Sequence, residues 1–318
     1  LRSDCRGFKM KFVLTHPNKC SRKLSVYFRQ HATQCQFSGK DSWVVLSEIE
    51  QRIKKKIEAV GTPLKDWDIH IYRGILTGYN EAFIINEKKK EELIAEDPKS
   101  AEIIRPILRG KDIKRYGYDF ADRWLINTHN GIKEKGIKPV NINDYPAIKK
   151  HLDSFWKDIE KRADQGDTPY NLRNCAYMDD FSKQKIVWAE LARTGNAFTL
   201  DNDGYYVGNT AYILVVNEKV NKDVFYKYLL AVLNSKAILF YLDIISTRLD
   251  ETGWRWLRQY VELLPIPKLS IEKQKTIRLI VESELKIRTN KGQNNIDLFI
   301  NEIYNFTDEE IQFLEKYK

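Results

Sequence analysis

The stretch at residues 69–85, IHIYRGILTGYNEAFII, constrains the fold most, because it joins two apolar runs through a polar segment that contains a glycine. Short runs rich in isoleucine predict strands, and TGYN at 77–80 predicts a turn, where glycine adopts backbone angles that other residues avoid. We therefore expect a hairpin whose turn presents an amide, a hydroxyl and an aromatic ring. A rigid scaffold that holds out a polar loop is typical of a binding site.

The length of 318 residues allows one large domain or two of ordinary size. Contents of 42% hydrophobic and 31% charged residues are typical of globular proteins, and no apolar run approaches the ~18 residues of a membrane span. No signal peptide opens the chain, so we expect a cytoplasmic protein with no membrane partner. Because the sequence begins with Leu1, we expect a piece of a longer protein.

The net charge of +9 is unevenly distributed along the chain. Residues 1–60 hold 13 lysines and arginines against 5 acidic residues, while the remainder is nearly balanced, with 40 against 39. A basic protein with 12% aromatic residues favours a polyanionic partner, most often nucleic acid. A lysine-rich solvated surface is the alternative, and charge alone does not distinguish the two.

The four cysteines are too few for a disulfide scaffold and indicate a reducing compartment. His16-x3-Cys20 and His31-x3-Cys35 repeat one pairing 15 residues apart, with Cys5 upstream, and such side chains can bind zinc. The close Cys-x2-Cys pair of common zinc sites is missing. We therefore expect no metal site and free thiols in this segment.

Hydrophobic periodicity predicts an α+β fold, with a mainly antiparallel twisted sheet, flanking helices and a helical C-terminal tail. Predicted helices cover residues 48–60 (capped by Ser47), 87–96, 145–163 (capped by Asp144), 223–234, 236–246, 270–288, 296–304 and 308–317. Predicted strands beyond the first stretch cover 124–127, 185–191, 197–200 and 205–216, the last two joined by a turn at 201–204. We divide the chain into a basic segment with one helix at 1–61, a central domain at 62–267 and a helical region at 268–318.

A second turn-rich passage, IIRPILRGKDIKRYGY at 103–118, gathers basic residues around a glycine. Its four cations are Arg109, Lys111, Lys114 and Arg115, and Tyr116 follows them. Cations at this density neutralise phosphates, and aromatic rings beside them stack or pack. The passage predicts contact with DNA, with a solvent-facing loop as the alternative.

The chain lacks the motifs of the enzymes that commonly act on DNA. An amino methyltransferase needs a cofactor-binding glycine loop and an Asn/Asp-Pro-Pro-aromatic segment, and no Pro-Pro pair occurs. Common restriction nucleases hold magnesium with Asp…Glu-x-Lys, but Glu190-Leu191-Ala192 lacks the lysine. No Gly-x-x-x-x-Gly-Lys phosphate loop is present either. We therefore expect a chain that binds rather than catalyses.

Seven segments, spread over residues 42–318, carry a family resemblance when they are taken in order. They lie at 42–85, 103–116, 170–191, 205–215, 229–242, 264–267 and 296–311. Together they resemble the C-terminal target-recognition (TaqI-like specificity) region of type II restriction-modification enzymes, which fuse an adenine methyltransferase to a DNA-reading domain. LPIP at 264–267, followed by a helix rich in Glu, Gln and Lys, is also similar to the end of a recognition half in type I specificity subunits.

The resemblance implies that residues 62–267 recognise double-stranded DNA and that 1–61 hold a connector and the tail of a methyltransferase domain in the same polypeptide. In this family the N-terminal domain binds S-adenosylmethionine and flips out the target adenine. We expect no cofactor in this chain, with S-adenosylmethionine used by the parent enzyme, and magnesium where a nuclease is attached. An atypical nuclease or methyltransferase fragment is one alternative, and a protein-interaction module formed by the helices after Ser270 is another.

Candidate DNA-facing residues also follow from the resemblance. The leading candidates are Arg73, Thr77, Tyr79, Asn80, Lys111, Asp112, Lys114 and Arg115. The next are Arg173, Tyr177, Arg193, Asn209, Thr210, Trp254 and Arg255, together with Arg109 and Tyr116 of the basic passage. Arginine can bond guanine through two N–H groups and asparagine the edge of adenine, whereas lysine more often holds phosphate.

Overall fold

The computed structural model describes residues 8–12, 33–37, 46–193, 195, 197–217, 222–247, 253–287 and 292–317. Its strands are β1 (Phe8–Phe12), β2 (Thr33–Phe37), β3 (Gly61–Pro63), β4 (Ile69–Arg73), β5 (Ile84–Asn86), β6 (Ile104–Leu108), β7 (Ile113–Lys114), β8 (Gly117–Tyr118), β9 (Arg123–Ile126), β10 (Lys185–Ala189), β11 (Leu191–Ala192), β12 (Phe198–Asp201), β13 (Tyr206–Val207), β14 (Ala211–Val216), β15 (Trp254–Arg255) and β16 (Pro265–Pro267). Its α-helices are α1 (Glu48–Val60), α2 (Asn80–Phe83), α3 (Glu87–Glu96), α4 (Pro146–Asp153), α5 (Trp156–Ile159), α6 (Lys222–Leu233), α7 (Lys236–Ile245), α8 (Arg258–Val261), α9 (Ile271–Ile287), α10 (Gln293–Ile303) and α11 (Asp308–Lys316).

A four-stranded antiparallel sheet, in the order β12–β10–β14–β4, lies between two hydrophobic cores. Successive side chains of a strand point to opposite faces, so Ile186 and Trp188 join one core and Val187 joins the other. A sheet that is covered on both faces needs continuous apolar strands, and KIVWA in β10 and AYILVV in β14 are buried throughout.

Helices cover one face of this sheet and form the first core, to which α1, α6, α7, α9, α10 and α11 contribute. Ser47 caps α1: its hydroxyl accepts a hydrogen bond from Glu50 N, and the Glu50 carboxylate accepts one from Ser47 N. The helices predicted at 48–60 and 87–96 have the predicted bounds, and those predicted after residue 222 begin and end within three residues of the prediction. Local capping and 3.6-residue periodicity were therefore sufficient signals for these elements.

A second four-stranded sheet, in the order β13–β6–β9–β5, contributes to the second core on the other face, together with α2, α3, α4 and α5. Its pairing is parallel between β13 and β6 and antiparallel elsewhere. The fold is thus α+β with mainly antiparallel sheets and a helical C-terminal tail, as the sequence predicts.

Residues 69–85 cross from one sheet to the other, so the predicted hairpin is wrong. Strand β4 pairs with β14 of the central sheet, while β5 pairs with β9 of the second sheet. At the crossing Ile75 N donates to Val207 O at 2.8 Å, and a Cβ on Gly74 would lie 2.1 Å from Gly208 O. Hydrophobic pattern predicted both strands, but it carries no information about partners that are distant in sequence.

Two other predicted elements are divided in the structure. The helix predicted over 145–163 begins at Pro146, after Tyr145 rather than Asp144, and breaks where Ser154 Oγ donates to His151 O at 2.6 Å. Trp156 at the start of α5 is exposed. The strand predicted over 205–216 is two strands in different sheets, so the turn at 201–204 does not close a hairpin.

Among the described residues no single helix combines the length and the apolar composition of a membrane span. Helices α6 and α7 meet both criteria only as a pair, with a 64° bend between them.

Candidate nucleic-acid interface

Three loops meet where the two sheets adjoin, at residues 189–191, 208–210 and 109–111. Backbone hydrogen bonds fix them to each other: Gly208 N donates to Leu108 O at 2.9 Å and Glu190 N to Thr210 O at 2.9 Å. Gly110 N donates to Thr210 Oγ1 at 3.0 Å. With Asn80, Glu81 and Arg123, these loops line a cleft of about 610 Å³, the seam cleft.

A second concavity, of about 850 Å³, lies beside the short two-stranded ribbon formed by β11 and β15, and we call it the ribbon cleft. It is lined by residues from two ranges, 110–119 and 189–197, and it shares Gly110, Lys111, Ala189 and Leu191 with the seam cleft. The two clefts are therefore continuous. Predicted residues from these two ranges come together in the ribbon cleft. They are Lys111, Lys114, Arg115 and Arg193.

Arg73 connects the seam cleft to a third cavity, of about 300 Å³, which Arg173 and Tyr177 also line. Arg73 Nη2 lies 2.8 Å from Glu190 Oε2, and its Nε donates to Asn209 O at 2.9 Å. Tyr177 Oη donates to Arg73 O at 3.1 Å. Candidates from three distant parts of the sequence are thus joined into one row.

Basic side chains outnumber acidic ones two to one along the seam and ribbon clefts. The basic residues are Arg109, Lys111, Lys114, Arg115, Arg123 and Arg193, and the acidic ones are Glu81, Asp119 and Glu190. A concave surface lined mainly by one sign of charge concentrates the electrostatic potential and attracts ligands of the opposite sign. Asn80, Asn209 and Thr210 add amide and hydroxyl groups between these cations.

Arg109 is held by Asp112 within the loop that carries Arg109, Lys111, Lys114 and Arg115, which we call the basic loop. Its Nε lies 2.9 Å from Asp112 Oδ2 and its Nη2 lies 2.8 Å from Oδ1, and the backbone N of Arg109 also donates to Oδ2 at 2.8 Å. Burial alone raises the pKa of Asp112, but these hydrogen bonds outweigh it and lower that pKa below its ordinary value. The pair shapes the loop, and it occupies Nε and Nη2 of the Arg109 guanidinium with hydrogen bonds to Asp112.

Four predicted DNA-facing side chains point into the protein, contrary to the prediction. They are Thr77, Asp112, Tyr116 and Trp254, all buried. Thr77 Oγ1 donates to Asn80 Oδ1 at 2.6 Å, and Tyr116 Oη donates to Gln293 Oε1 at 2.9 Å. These side chains make contacts inside the protein and therefore support the loops that carry them.

Two further candidates lie outside the three clefts. The ring of Tyr79 packs against Phe155, with 6.1 Å between centroids. Arg255 is the cross-strand partner of Leu191 in the β11–β15 ribbon, next to the wall that the two larger clefts share. Both residues were predicted to face DNA from the family resemblance.

The structure adds Glu81, Arg123 and Leu191 to the clefts, and sequence reasoning missed them as binding residues. Arg123 begins β9 and reaches the seam cleft because β9 pairs with β5 and β6. Leu191 follows a fully buried strand yet is 47% exposed. The sheet order brings Arg123 and Leu191 to the clefts, whereas Glu81 directly follows the predicted residue Asn80.

No group of three His, Cys, Asp or Glu side chains in the described part of the chain lies close enough to hold a metal ion. Cys5, His16, Cys20 and His31 fall outside the described residues, and the side chain of Cys35 is not among those described. Cys175 is a free thiol whose pKa burial raises to about 11, which disfavours the thiolate form.

Comparison with solved structures shows relatives of the fold. A structure described as the type IIL restriction-modification enzyme MmeI in complex with DNA matches with a TM-score of 0.58 and 12% sequence identity, over 90% of this chain and 40% of that chain. The type IIG restriction endonuclease BpuSI matches with a TM-score of 0.49 and 12% identity, over 88% of this chain and 36% of that chain. The chain therefore spans less than half the length of either enzyme. A search among curated proteins returns no match.

A protein-family comparison reaches the same region from the sequence. The model of the TaqI-like C-terminal specificity domain matches residues 105–266, just over half of the chain. The matched residues include the basic loop, both strands of the β11–β15 ribbon and the loop at 208–210. This chain belongs to the family of TaqI-like C-terminal specificity domains.

Proposed function

We propose that this chain is the sequence-specific DNA-recognition domain of a restriction-modification DNA adenine methyltransferase. In this proposal it performs no catalysis itself and directs a catalytic domain of the same polypeptide, which binds S-adenosylmethionine, to its site. The observation that carries the proposal is the continuous basic concavity of the seam and ribbon clefts, built from loops of both sheets. The likeness in fold to MmeI, whose structure is described as a complex with DNA, supports it.

The two kinds of polar group in the clefts suit two different tasks. Lys111 and Lys114 are exposed and suited to phosphates, which fix position without reading sequence. Asn80 and Asn209 are exposed in the seam cleft and carry amides that match the edge of adenine, each such pair providing about 1–3 kcal/mol of discrimination. Thr77 already donates to Asn80 Oδ1, so the amide of Asn80 is oriented before DNA binds.

Site selection from a randomised duplex library, followed by fluorescence anisotropy, tests the proposal. The chain should enrich one short sequence and bind it more tightly than a scrambled duplex. Asn80→Ala combined with Asn209→Ala should reduce that preference by tenfold or more, because each lost base contact costs about 1–3 kcal/mol, and leave binding to the scrambled duplex unchanged. Asn143→Ala, an exposed asparagine outside the clefts, is the matched control.

Failure to bind any duplex at low salt, or binding without enrichment of a sequence, would contradict the proposal.

The directing role has its own test in the parent enzyme. Asn80→Ala together with Arg115→Ala should lower methylation of the parent's site without changing its affinity for S-adenosylmethionine. Unchanged methylation would show that neither Asn80 nor Arg115 contributes to recognition of the site.

Exposed leucines on the C-terminal helices favour the protein-interaction module as a second candidate function. Leu279 on α9 is 68% exposed, and Leu298 on α10 is also exposed. If these residues mediate self-association, sedimentation will show an oligomer that Leu279→Lys or Leu298→Lys converts to monomer. A monomer at all concentrations would reject self-association through these helices.

A further inference from the structure

The β11–β15 ribbon places an apolar side chain of the cleft wall, Leu191, beside a cationic side chain just outside the clefts, Arg255. Leu191 and Arg255 are directly opposite each other in this antiparallel pair, and opposite residues share a face. The next pair, Ala192 and Trp254, is buried on the other face. The ribbon therefore presents Leu191 and Arg255 together on its outer face.

Leu191 has an unusual position for a half-exposed leucine, because it belongs to the wall shared by the seam and ribbon clefts. Lys111 lines both clefts as well, and Arg193 follows two residues later in the ribbon cleft. An apolar side chain among cations gains little from phosphates. Its favourable contact on DNA would be with an apolar group that comes close when the neighbouring cations bind phosphates. The nearest such groups lie on the edges of the bases.

The major groove of DNA admits a two-stranded ribbon, and the only apolar group on its base edges is the 5-methyl of thymine. Arginine beside such a contact can bond a neighbouring guanine through two N–H groups. Building on the DNA-recognition function proposed above, we infer that Leu191 reads the 5-methyl group of a pyrimidine in the major groove, with Arg255 on the adjacent base pair.

Replacing each thymine of the selected site by deoxyuridine, one at a time, tests this inference by anisotropy. The wild-type chain should bind roughly fourfold more weakly at one position, the effect of removing one buried methyl group. Leu191→Ala should bind the thymine and deoxyuridine duplexes equally at that position. Leu191→Asn, which keeps the size of the side chain but not its apolar surface, should behave in the same way.

The control variant is Leu279→Ala, an exposed leucine on α9 that lines none of the three clefts and should keep the wild-type discrimination. Retention of the thymine preference in both Leu191 variants, or a wild-type chain that is indifferent to every methyl group, would overturn the inference while leaving DNA recognition intact. If the wild-type chain selects no sequence at all, the proposed function fails and the inference fails with it.

Discussion

Arg73 and Glu190 form an ion pair at the edge of the seam cleft, with Nη2 of Arg73 2.8 Å from Oε2 of Glu190. Both side chains are partly exposed, and such surface pairs contribute less than about 1 kcal/mol to folding. The pair therefore matters more for the charge of the cleft than for stability. The Glu190 carboxylate holds the Arg73 guanidinium in place and partly neutralises its charge.

Glu190→Gln should tighten binding to non-specific duplex DNA by a few fold, because it removes a negative charge and releases Arg73 toward phosphates. Arg73→Ala should weaken the same binding. Anisotropy at fixed low salt measures both variants. Effects of the same sign in the two variants would show that the pair acts only by shaping the loop.

The Arg109–Asp112 pair predicts a specific pH dependence of stability. Because hydrogen bonds from Arg109 lower the pKa of Asp112 in the folded state, its contribution is present above the ordinary carboxyl pKa and is lost as the pH falls through the lowered value. Asp112→Asn should reduce the free energy of unfolding at pH 7 by about 1–3 kcal/mol. The difference from wild type should shrink as the pH falls below the ordinary carboxyl pKa of about 4.

Urea denaturation across this pH range measures the effect, and Asp119→Asn is the matched control. Asp119 is exposed in the same loop. Its variant should show no such pH-dependent difference. A constant deficit of Asp112→Asn at every pH would mean that the carboxylate charge is not what stabilises the loop.

Buried Arg162 predicts a large effect on stability. Its Nη1 donates to Thr77 O at 2.6 Å and its Nη2 to Pro169 O at 3.1 Å, and it also bonds the carbonyls of Asp164 and Asn171. Arg162→Met leaves these buried carbonyls without a donor, so unfolding in urea should show a loss of about 3 kcal/mol or more.

Arg173→Met provides the comparison for Arg162→Met. Arg173 is exposed and pairs with Asp164 at 3.1 Å, so its replacement should cost less than about 1 kcal/mol. Similar losses in the two variants would mean that the carbonyl contacts of Arg162 do not hold the loop before Asn80.

Gly74 is required by the close approach of the two sheets. In Gly74→Ala the new Cβ would lie 2.1 Å from Gly208 O and 2.5 Å from Val207 O, so the backbone would have to move. We expect a loss of about 3 kcal/mol or more in the free energy of unfolding. Gly208→Ala, whose Cβ meets nothing closer than 3.8 Å, should fold almost normally. Equal stability of the two variants would contradict the packing at this crossing.

Signals that lie within a few residues of each other were enough to predict much of the fold. Ser47, which the sequence predicts as a cap, forms a capping box with Glu50 and marks where α1 begins. The partners of β4 and β5 could not be predicted, because strand pairing depends on segments far away in the sequence.

The candidate site was predictable to a similar extent. Lys111, Lys114 and Arg115 line the ribbon cleft, but Asp112 and Tyr116 between and beside them are buried, because Asp112 bonds Arg109 and Tyr116 bonds Gln293 inside the protein. Arg123 and Leu191 required the sheet order. Basic residues in the sequence thus indicate which loops line the clefts, while the pairing of strands decides which other side chains reach them.

The salt dependence of DNA binding, compared between two exposed lysines, tests the central claim most directly. Lys111 lies in both the seam and ribbon clefts, whereas Lys150 lies on α4 outside the three clefts. If DNA occupies the clefts, Lys111→Ala should reduce the slope of log Kd against log salt by about 0.9 and Lys150→Ala should leave it unchanged. Identical slopes for wild type and Lys111→Ala, or a reduced slope only in Lys150→Ala, would contradict the account.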